Sequence, residues 1–237
     1  MTNEYSNTVA KHYAAFRPAL HEVILRRLIR PSERFRIGLD VGCGTGYSAV
    51  ALAEYCNHVI GLDPNQPMLD KATAHPKISY VNGYGDDISV LGQDQFDVVS
   101  FAGSLSHTKT NKMKSELLRT LASDGVVLVY DFQMFIDDLT ASLGMFCCSA
   151  ALDYNFAENL CDWPEFTSEV VSTDRVFLQL SAQEAAHILL ANSDRYRLFQ
   201  ERFPDTDPFC GLIDYIRRLG GEPQLNADIY FARHSLS

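Results

Sequence analysis

Clustered positive charge is the plainest absence in this sequence. Its 237 residues carry 20 Lys and Arg against 30 Asp and Glu, a formal charge of −10, and no basic run occurs anywhere. A nucleic-acid backbone is bound by grouped cations, so a polynucleotide partner is not expected. Paired cysteines are missing too. The six cysteines, at positions 43, 56, 147, 148, 161 and 210, show no Cys-x-x-Cys spacing. Neither a disulfide framework nor a zinc site is implied, and no metal is expected. They read as reduced, mostly buried thiols; Cys147 and Cys148 read as small packing residues, because adjacent cysteines rarely satisfy disulfide geometry. No apolar stretch approaches membrane-spanning length, and the opening Met1-Thr-Asn-Glu-Tyr5 lacks the basic and apolar regions of a signal peptide. A cytoplasmic protein without membrane association is the expectation. With no internal repeat or low-complexity linker, the length suits one α/β domain over 1–237.

What is present is an alternation. Apolar runs at 36–41, 57–62, 77–81, 96–101 and 125–132 alternate with helical patterns at 47–55, 66–74 and 111–122. That order is the mark of a parallel sheet with crossover helices, and nearly all-apolar strands indicate burial on both faces. The helix over 111–122 places Met113, Leu117, Leu118 and Leu121 on one face, as a sheet-covering helix should. Gly125 is expected to cap it in the left-handed conformation. Residues 133–170 break the rhythm with an aromatic- and Met-rich segment that includes Met134, Phe135, Ile136, Tyr154, Phe156 and Trp163. The tail then returns to a strand at 170–180, helices at 182–190 and 207–219, and a final alternating strand at 227–233. Gly220-Gly221 and Pro223 mark the stop before that strand.

The segment Gly38-Leu-Asp-Val-Gly-Cys-Gly-Thr-Gly-Tyr47 runs from strand through glycine loop into helix. Gly42, Gly44 and Gly46 remove side chains where the backbone must turn tightly and approach a ligand. Asp63 ends the next apolar run, about 20 residues beyond the first glycine, where a carboxylate can accept from both hydroxyls of a ribose. A nucleoside-bearing cofactor follows from the pair. Asp40 narrows the choice, because a carboxylate beside the loop suits a cationic ligand and repels a pyrophosphate.

At these residues the chain resembles the class I S-adenosylmethionine-dependent methyltransferases, whose first motif reads close to Leu39-Asp-Val-Gly-Cys-Gly-Thr-Gly46. Asp63-Pro64-Asn65 with Met68-Leu69 is similar to their second motif, where the acid holds ribose and apolar residues pack on adenine. Tyr80 through Asp87 resembles the third, although Tyr84 stands where its first acid usually does. The acid toward adenine is then Asp86, or the loop is shifted by one residue. Phe96 through Phe101 resembles the fourth strand, and Leu105-Ser106-His107 the segment that follows it in small-molecule methyltransferases. The resemblance is specific over about 36–132. It implies a Rossmann-like seven-stranded α/β sheet with helices on both faces, a lead-in over 1–35, an inserted cap after the fifth strand over 133–170, and closing strands and helices over 171–237.

It also implies S-adenosylmethionine as cofactor and S-adenosylhomocysteine as product. The residues it assigns to the cofactor are Asp40, Gly42, Cys43, Gly44, Gly46, Asp63, Pro64, Met68, Gly85, Asp86 and Phe101. Near the N-terminus, Tyr13-Ala-Ala-Phe-Arg17-Pro18 resembles a segment that folds over the cofactor in some members. There Arg17 could pair with the methionine carboxylate, and Tyr13 or Phe16 could face the sulfonium; an amphipathic lead-in helix is the plainer alternative. The implied reaction is methyl transfer to a small-molecule acceptor. The protein's part is to align the reactants and exclude water, and a base is needed only for a hydroxyl or protonated nitrogen. His107 is the candidate base, with a pocket-lining histidine as the alternative. Ser106 belongs to no Gly-x-Ser-x-Gly nucleophile motif, and the Asn-Pro-Pro-Tyr type of signature of many DNA-base methyltransferases is absent. Two other readings stay open: an NAD-dependent oxidoreductase, since Gly44-Thr-Gly46-Tyr-Ser-Ala49 satisfies G-x-G-x-x-A, and a cofactor-binding protein without turnover. The acceptor and the oligomeric state are not legible.

Overall fold

The computed structural model describes residues 8–9, 11–12, 15–91, 96–145 and 154–237. Seven strands, β1 (Phe35–Val41), β2 (Cys56–Asp63), β3 (Ile78–Asn82), β4 (Phe96–Ala102), β5 (Leu121–Met134), β6 (Phe166–Gln179) and β7 (Gln224–Leu236), form one sheet in the order β3-β2-β1-β4-β5-β7-β6. The pairs β1–β2, β2–β3, β1–β4 and β4–β5 are parallel. The last strand lies beside the fifth. Chain order reverses between β1 and β4, and the carboxyl ends of strands at such a switch point are where α/β sheets hold ligands.

The helices are α1 (Leu20–Leu28), α2 (Tyr47–Ala53), α3 (Gln66–Leu69), α4 (Leu105–Thr108), α5 (Asn111–Thr120), α6 (Ile136–Ser142), α7 (Ala182–Leu190), α8 (Ser193–Arg202) and α9 (Pro208–Arg218). Their starts follow ordinary capping chemistry: the Thr110 side chain accepts from Met113 N, Ser181 and Glu184 form a capping box, and Asp207 accepts from Phe209 N and Cys210 N ahead of Pro208. Among the described residues, no helix is long and apolar enough to cross a membrane.

Several expectations need correction. The helix over 66–74 stops at Leu69: it buries no side chain, and Thr73 N is drawn off to Thr45 O at 3.1 Å. Gly125 is not a left-handed cap. The residue closing α5 is Leu121, already extended at φ −73° and ψ 134°, so β5 begins there and Gly125 lies within it. Leu118 is exposed, unlike Met113 and Leu117 on the same helix. Helix α8 was not anticipated, because its polar sequence buries only Tyr196 and Phe199; Asn192 starts it by accepting from Asp194 N and Arg195 N.

The chain divides into two compact units. The larger comprises Ala19–Phe132, Tyr154–Asp174 and Ile229–Ser237, and its core gathers Leu39, Leu62, Phe96, Val99, Phe101 and Val127 with Leu117 of α5. The smaller comprises Met1–Pro18, Gln133–Asp153 and Arg175–Asp228. It packs Leu139 and Leu143 with Ala185, Leu189, Phe199, Leu212 and Ile216 of the later helices.

Candidate cofactor site

All of the site geometry that follows belongs to the larger unit. At the carboxyl end of β1 the backbone turns at three left-handed glycines, Gly42 (φ 75°), Gly44 (φ 53°) and Gly46 (φ 87°). Gly42 and Gly46 are needed for space as well as conformation, whereas at Gly44 the nearest atom is the movable end of Met68. A β-carbon would come within 2.5 Å of Ser104 Cβ at Gly42, 2.9 Å of Met68 Cε at Gly44, and 2.1 Å of the Tyr80 hydroxyl at Gly46. Gly42 N donates to Leu62 O at 2.7 Å, which ties the loop to β2.

Asp63, at the end of β2, fastens this loop to the next. Its Oδ2 accepts from Gly44 N at 2.9 Å and its Oδ1 from Asn65 N at 2.8 Å. A carboxylate has about four acceptor sites, so capacity for two ligand hydroxyls remains. The third element is the turn Tyr84-Gly85-Asp86, and the fourth the turn of Gly103 and Ser104 that leads into α4. Together they bound a cavity of about 560 Å3, lined by Gly42, Gly44, Asp63, Pro64, Asn65 and Met68, then Tyr84, Gly85 and Asp86, and finally Gly103, Ser104, His107, Thr108 and Thr110. This lies within the range of small-molecule sites.

Gly42, Gly44, Asp63, Pro64, Met68, Gly85, Asp86 and His107 therefore meet in one place. Between the neighbouring acids of the third motif, Asp86 faces the cavity, while Asp87 accepts from Lys112 Nζ at 3.0 Å. Tyr84 lines the cavity and is 68% exposed. Four assigned residues stand behind the wall. Phe101 is fully buried in the core. Cys43 is buried, with burial pushing its thiol well above the usual range. Gly46 caps α2 against Tyr80.

Asp40 is the fourth, and its placement corrects the sequence argument. It is wholly buried: Oδ2 accepts from Ser48 Oγ at 2.5 Å and Oδ1 from Ser100 Oγ at 2.6 Å. Burial pushes its pKa up to about 6, the two hydroxyls oppose the rise, and the charge of Asp63 adds to it. Asp40 thus joins β1, α2 and β4 beneath the loop. Its influence on a ligand is through the field rather than by contact. Tyr13 lies outside the described residues. Phe16 packs on the core of the smaller unit, where Arg17 is also found, half-buried.

Sequence reasoning passed over Gly103, Ser104, Thr108 and Thr110. The available signal was Gly103, a glycine directly after an apolar strand, as Gly42 is after β1. His107 is exposed on α4, its ring centroid 6.1 Å from that of Tyr154. Among the described residues, no group of His, Cys, Asp and Glu is arranged to hold a metal ion.

Two features of the cavity bear on the cofactor. The described lining holds Asp63 and Asp86 but no Lys or Arg, so a pyrophosphate would meet acids and find no cation. A sulfonium-bearing nucleoside without phosphate meets complementary charge, and the glycine cradle admits close approach.

The sheet order, the glycine loop and the acid closing β2 define a class I methyltransferase fold. Residues 39–125 match the methyltransferase-domain family. The chain is similar to a proposed S-adenosylmethionine-dependent methyltransferase of Saccharomyces cerevisiae, CRG1, with 28% identity over 50% of this chain and 44% of that protein. It is also similar to a demethylmenaquinone methyltransferase of Clavibacter sepedonicus, at 26% identity over 62% of this chain and 66% of that one. The matches thus span about half to two thirds of these relatives. A solved structure of a proposed type II methyltransferase from Anaeromyxobacter dehalogenans shares the fold, with a TM-score of 0.62 at 18% identity over 92% of this chain and 97% of that one.

Proposed function

We propose that this protein transfers a methyl group from S-adenosylmethionine to a small-molecule acceptor. The observation that carries the reading is the cavity in which the glycine loop, Asp63 and Asp86 converge with no Lys or Arg in the described lining. In this reading Asp63 takes the ribose hydroxyls, Met68 packs on adenine, Asp86 accepts from the adenine amino group, and Gly42 and Gly44 let the backbone close on the methionine portion. Bound there, S-adenosylmethionine supplies an electrophilic methyl group open to in-line displacement.

The residues of this chain orient that group, exclude water and receive a proton where the acceptor gives one up. His107 is the group in the cavity wall suited to the last task, for a hydroxyl or protonated-nitrogen acceptor. The net charge of −10 and the acidic lining both favour a small acceptor over a polynucleotide. The buried free thiols Cys43 and Cys56 support a reducing, cytoplasmic setting.

The test is to incubate the protein with methyl-labelled S-adenosylmethionine and a cell extract, then to separate small molecules from macromolecules. Label in the small-molecule fraction, lost in D63A, is the expected result. Label confined to protein or nucleic acid contradicts the acceptor class, and cofactor binding without any label transfer favours a binding protein without turnover.

A further inference from the structure

The turn after β4 gives four residues to the cavity wall, Gly103, Ser104, His107 and Thr108. Its internal bonds are short-range: His107 N donates to Ser104 O at 3.1 Å, and Thr108 Oγ1 to the same oxygen at 3.0 Å. It also bears on the glycine loop. Ser104 Oγ donates to Val41 O, and a β-carbon on Gly42 would meet Ser104 Cβ at 2.5 Å. Displacement of this turn would therefore disturb two walls of the cavity at once.

A bond from distant sequence holds the turn. Tyr154, nearly fifty residues further along, places its hydroxyl among three groups: Ser106 Oγ donates to it at 3.0 Å, Asp131 Oδ2 accepts from it at 3.0 Å, and Gly103 O lies at 3.3 Å. The ring is braced edge-on by Phe156, with centroids 4.7 Å apart, and Phe156 stacks on Tyr230 at 5.8 Å. The hollow bounded by Gly103, Ser106, Asp131, Tyr154 and Phe156 has a volume of about 10 Å3. That is room for about one water molecule and excludes an organic ligand. This cluster is a strut, not a second substrate site.

We propose that Tyr154 is a positioning residue, whose hydroxyl, seated between Ser106, Gly103 and Asp131, locks the turn that forms one wall of the methyl-donor cavity. Tyr154 has this role only if the cavity takes the donor, as proposed above. The lock depends on the state of Asp131. As a carboxylate Asp131 accepts the Tyr154 proton, which leaves the phenol oxygen free to accept from Ser106. Burial pushes the Asp131 pKa up, while the Phe132 N–H, the Tyr154 hydroxyl and the charge of His107 oppose the rise. On the Tyr154 side the charged neighbours are Asp131 and Glu158. As pH falls Asp131 takes up a proton sooner than an ordinary aspartate does, and the Ser106–Tyr154–Asp131 arrangement is lost with its charge.

The experiment is calorimetric titration of S-adenosylhomocysteine into the full chain and its Y154F, S106A and D131N variants at pH 7.5 and 5.5, with circular dichroism melts to confirm folding. Y154F keeps the ring and its stacking. At pH 7.5 it is expected to bind about fivefold more weakly than the parent, and S106A about twofold to threefold more weakly, the scale of one or two net hydrogen bonds. Asp40 titrates in every variant, so the discriminating quantity is the loss of affinity between the two pH values. That loss should be at least about threefold larger in the parent than in D131N and Y154F. Parallel pH profiles in parent and D131N, or unchanged affinity in both Y154F and S106A, would overturn the role of Tyr154 while leaving the donor site standing. No binding by the parent at either pH would instead overturn the donor site itself. If Y154F fails to fold, S106A and D131N decide.

Discussion

The two compact units use buried polarity in opposite ways. In the smaller unit Thr140 is the only buried polar side chain among the described residues, and its hydroxyl donates to Asp137 O within its own helix. The rest of its described core is Leu, Ala and Ile with Met145, Tyr196 and Phe199. The larger unit buries Asp40, Ser48, Asp63, Ser100 and Ser104 around the carboxyl ends of β1, β2 and β4. Burying such groups costs free energy unless each is hydrogen-bonded. Here both oxygens of Asp40 and both of Asp63 have donors, and Ser104 reaches Val41 O. Five of the eight buried polar side chains in the larger unit thus lie at or beneath the cavity, the others being Thr120, Arg233 and His234, whereas among the described residues the smaller unit buries one.

The largest effects should separate the units by what is lost besides stability. G46A forces a β-carbon onto the Tyr80 hydroxyl at φ 87°. It should cost about 3 kcal/mol in urea unfolding and abolish measurable binding of S-adenosylhomocysteine. L189A empties a fully buried site in the smaller unit. A similar loss of about 2–5 kcal/mol is expected, with affinity held within about twofold. Equal damage to binding by both variants would erase the contrast.

A smaller effect is expected at the ligand. D63A should weaken S-adenosylmethionine binding by about 1–3 kcal/mol in calorimetry, since a charged partner for hydroxyls is removed. Unchanged affinity would remove Asp63 from the site.

The subtlest effect concerns Asp40. Its pKa of about 6 in the folded protein lies above the ordinary value of 3.8, so the native state binds the proton more tightly than the unfolded chain. This one group therefore lowers stability as pH rises from about 4 to 6, by an amount of order 3 kcal/mol. Carboxylates held low by ion pairs, such as Glu33 and Asp228, slope the opposite way. The difference between parent and D40N in urea unfolding at pH 4 and 7 isolates the contribution. A difference that does not change with pH would show that Asp40 is not the strained acid described above.

The sheet of the larger unit was legible because its strands are short apolar runs set apart by glycine loops, a local signal that buried parallel strands cannot avoid. The first two motifs were legible for a related reason: Gly42, Gly44 and Asp63 have tasks that few other residues can do. Asp40 was misread because sequence places it beside the loop, whereas the alternation of side chains along β1 turns it inward onto Ser48 and Ser100. Gly103, Ser104, Thr108 and Thr110 were passed over because the three hydroxyls bond only to backbone oxygens and amides, which leaves no motif. Helix α8 was missed because it buries too little to show a period.

The central claim is that the cavity at the ends of β1, β2 and β4 is built for an S-adenosyl nucleoside and not for a dinucleotide. Parallel calorimetric titrations of S-adenosylhomocysteine and NAD into the parent protein and D63A test it most directly. The predicted result is one-site binding of S-adenosylhomocysteine that weakens by about 1–3 kcal/mol in D63A, with no heat from NAD. Binding of NAD, or no binding of S-adenosylhomocysteine to the parent, would contradict it.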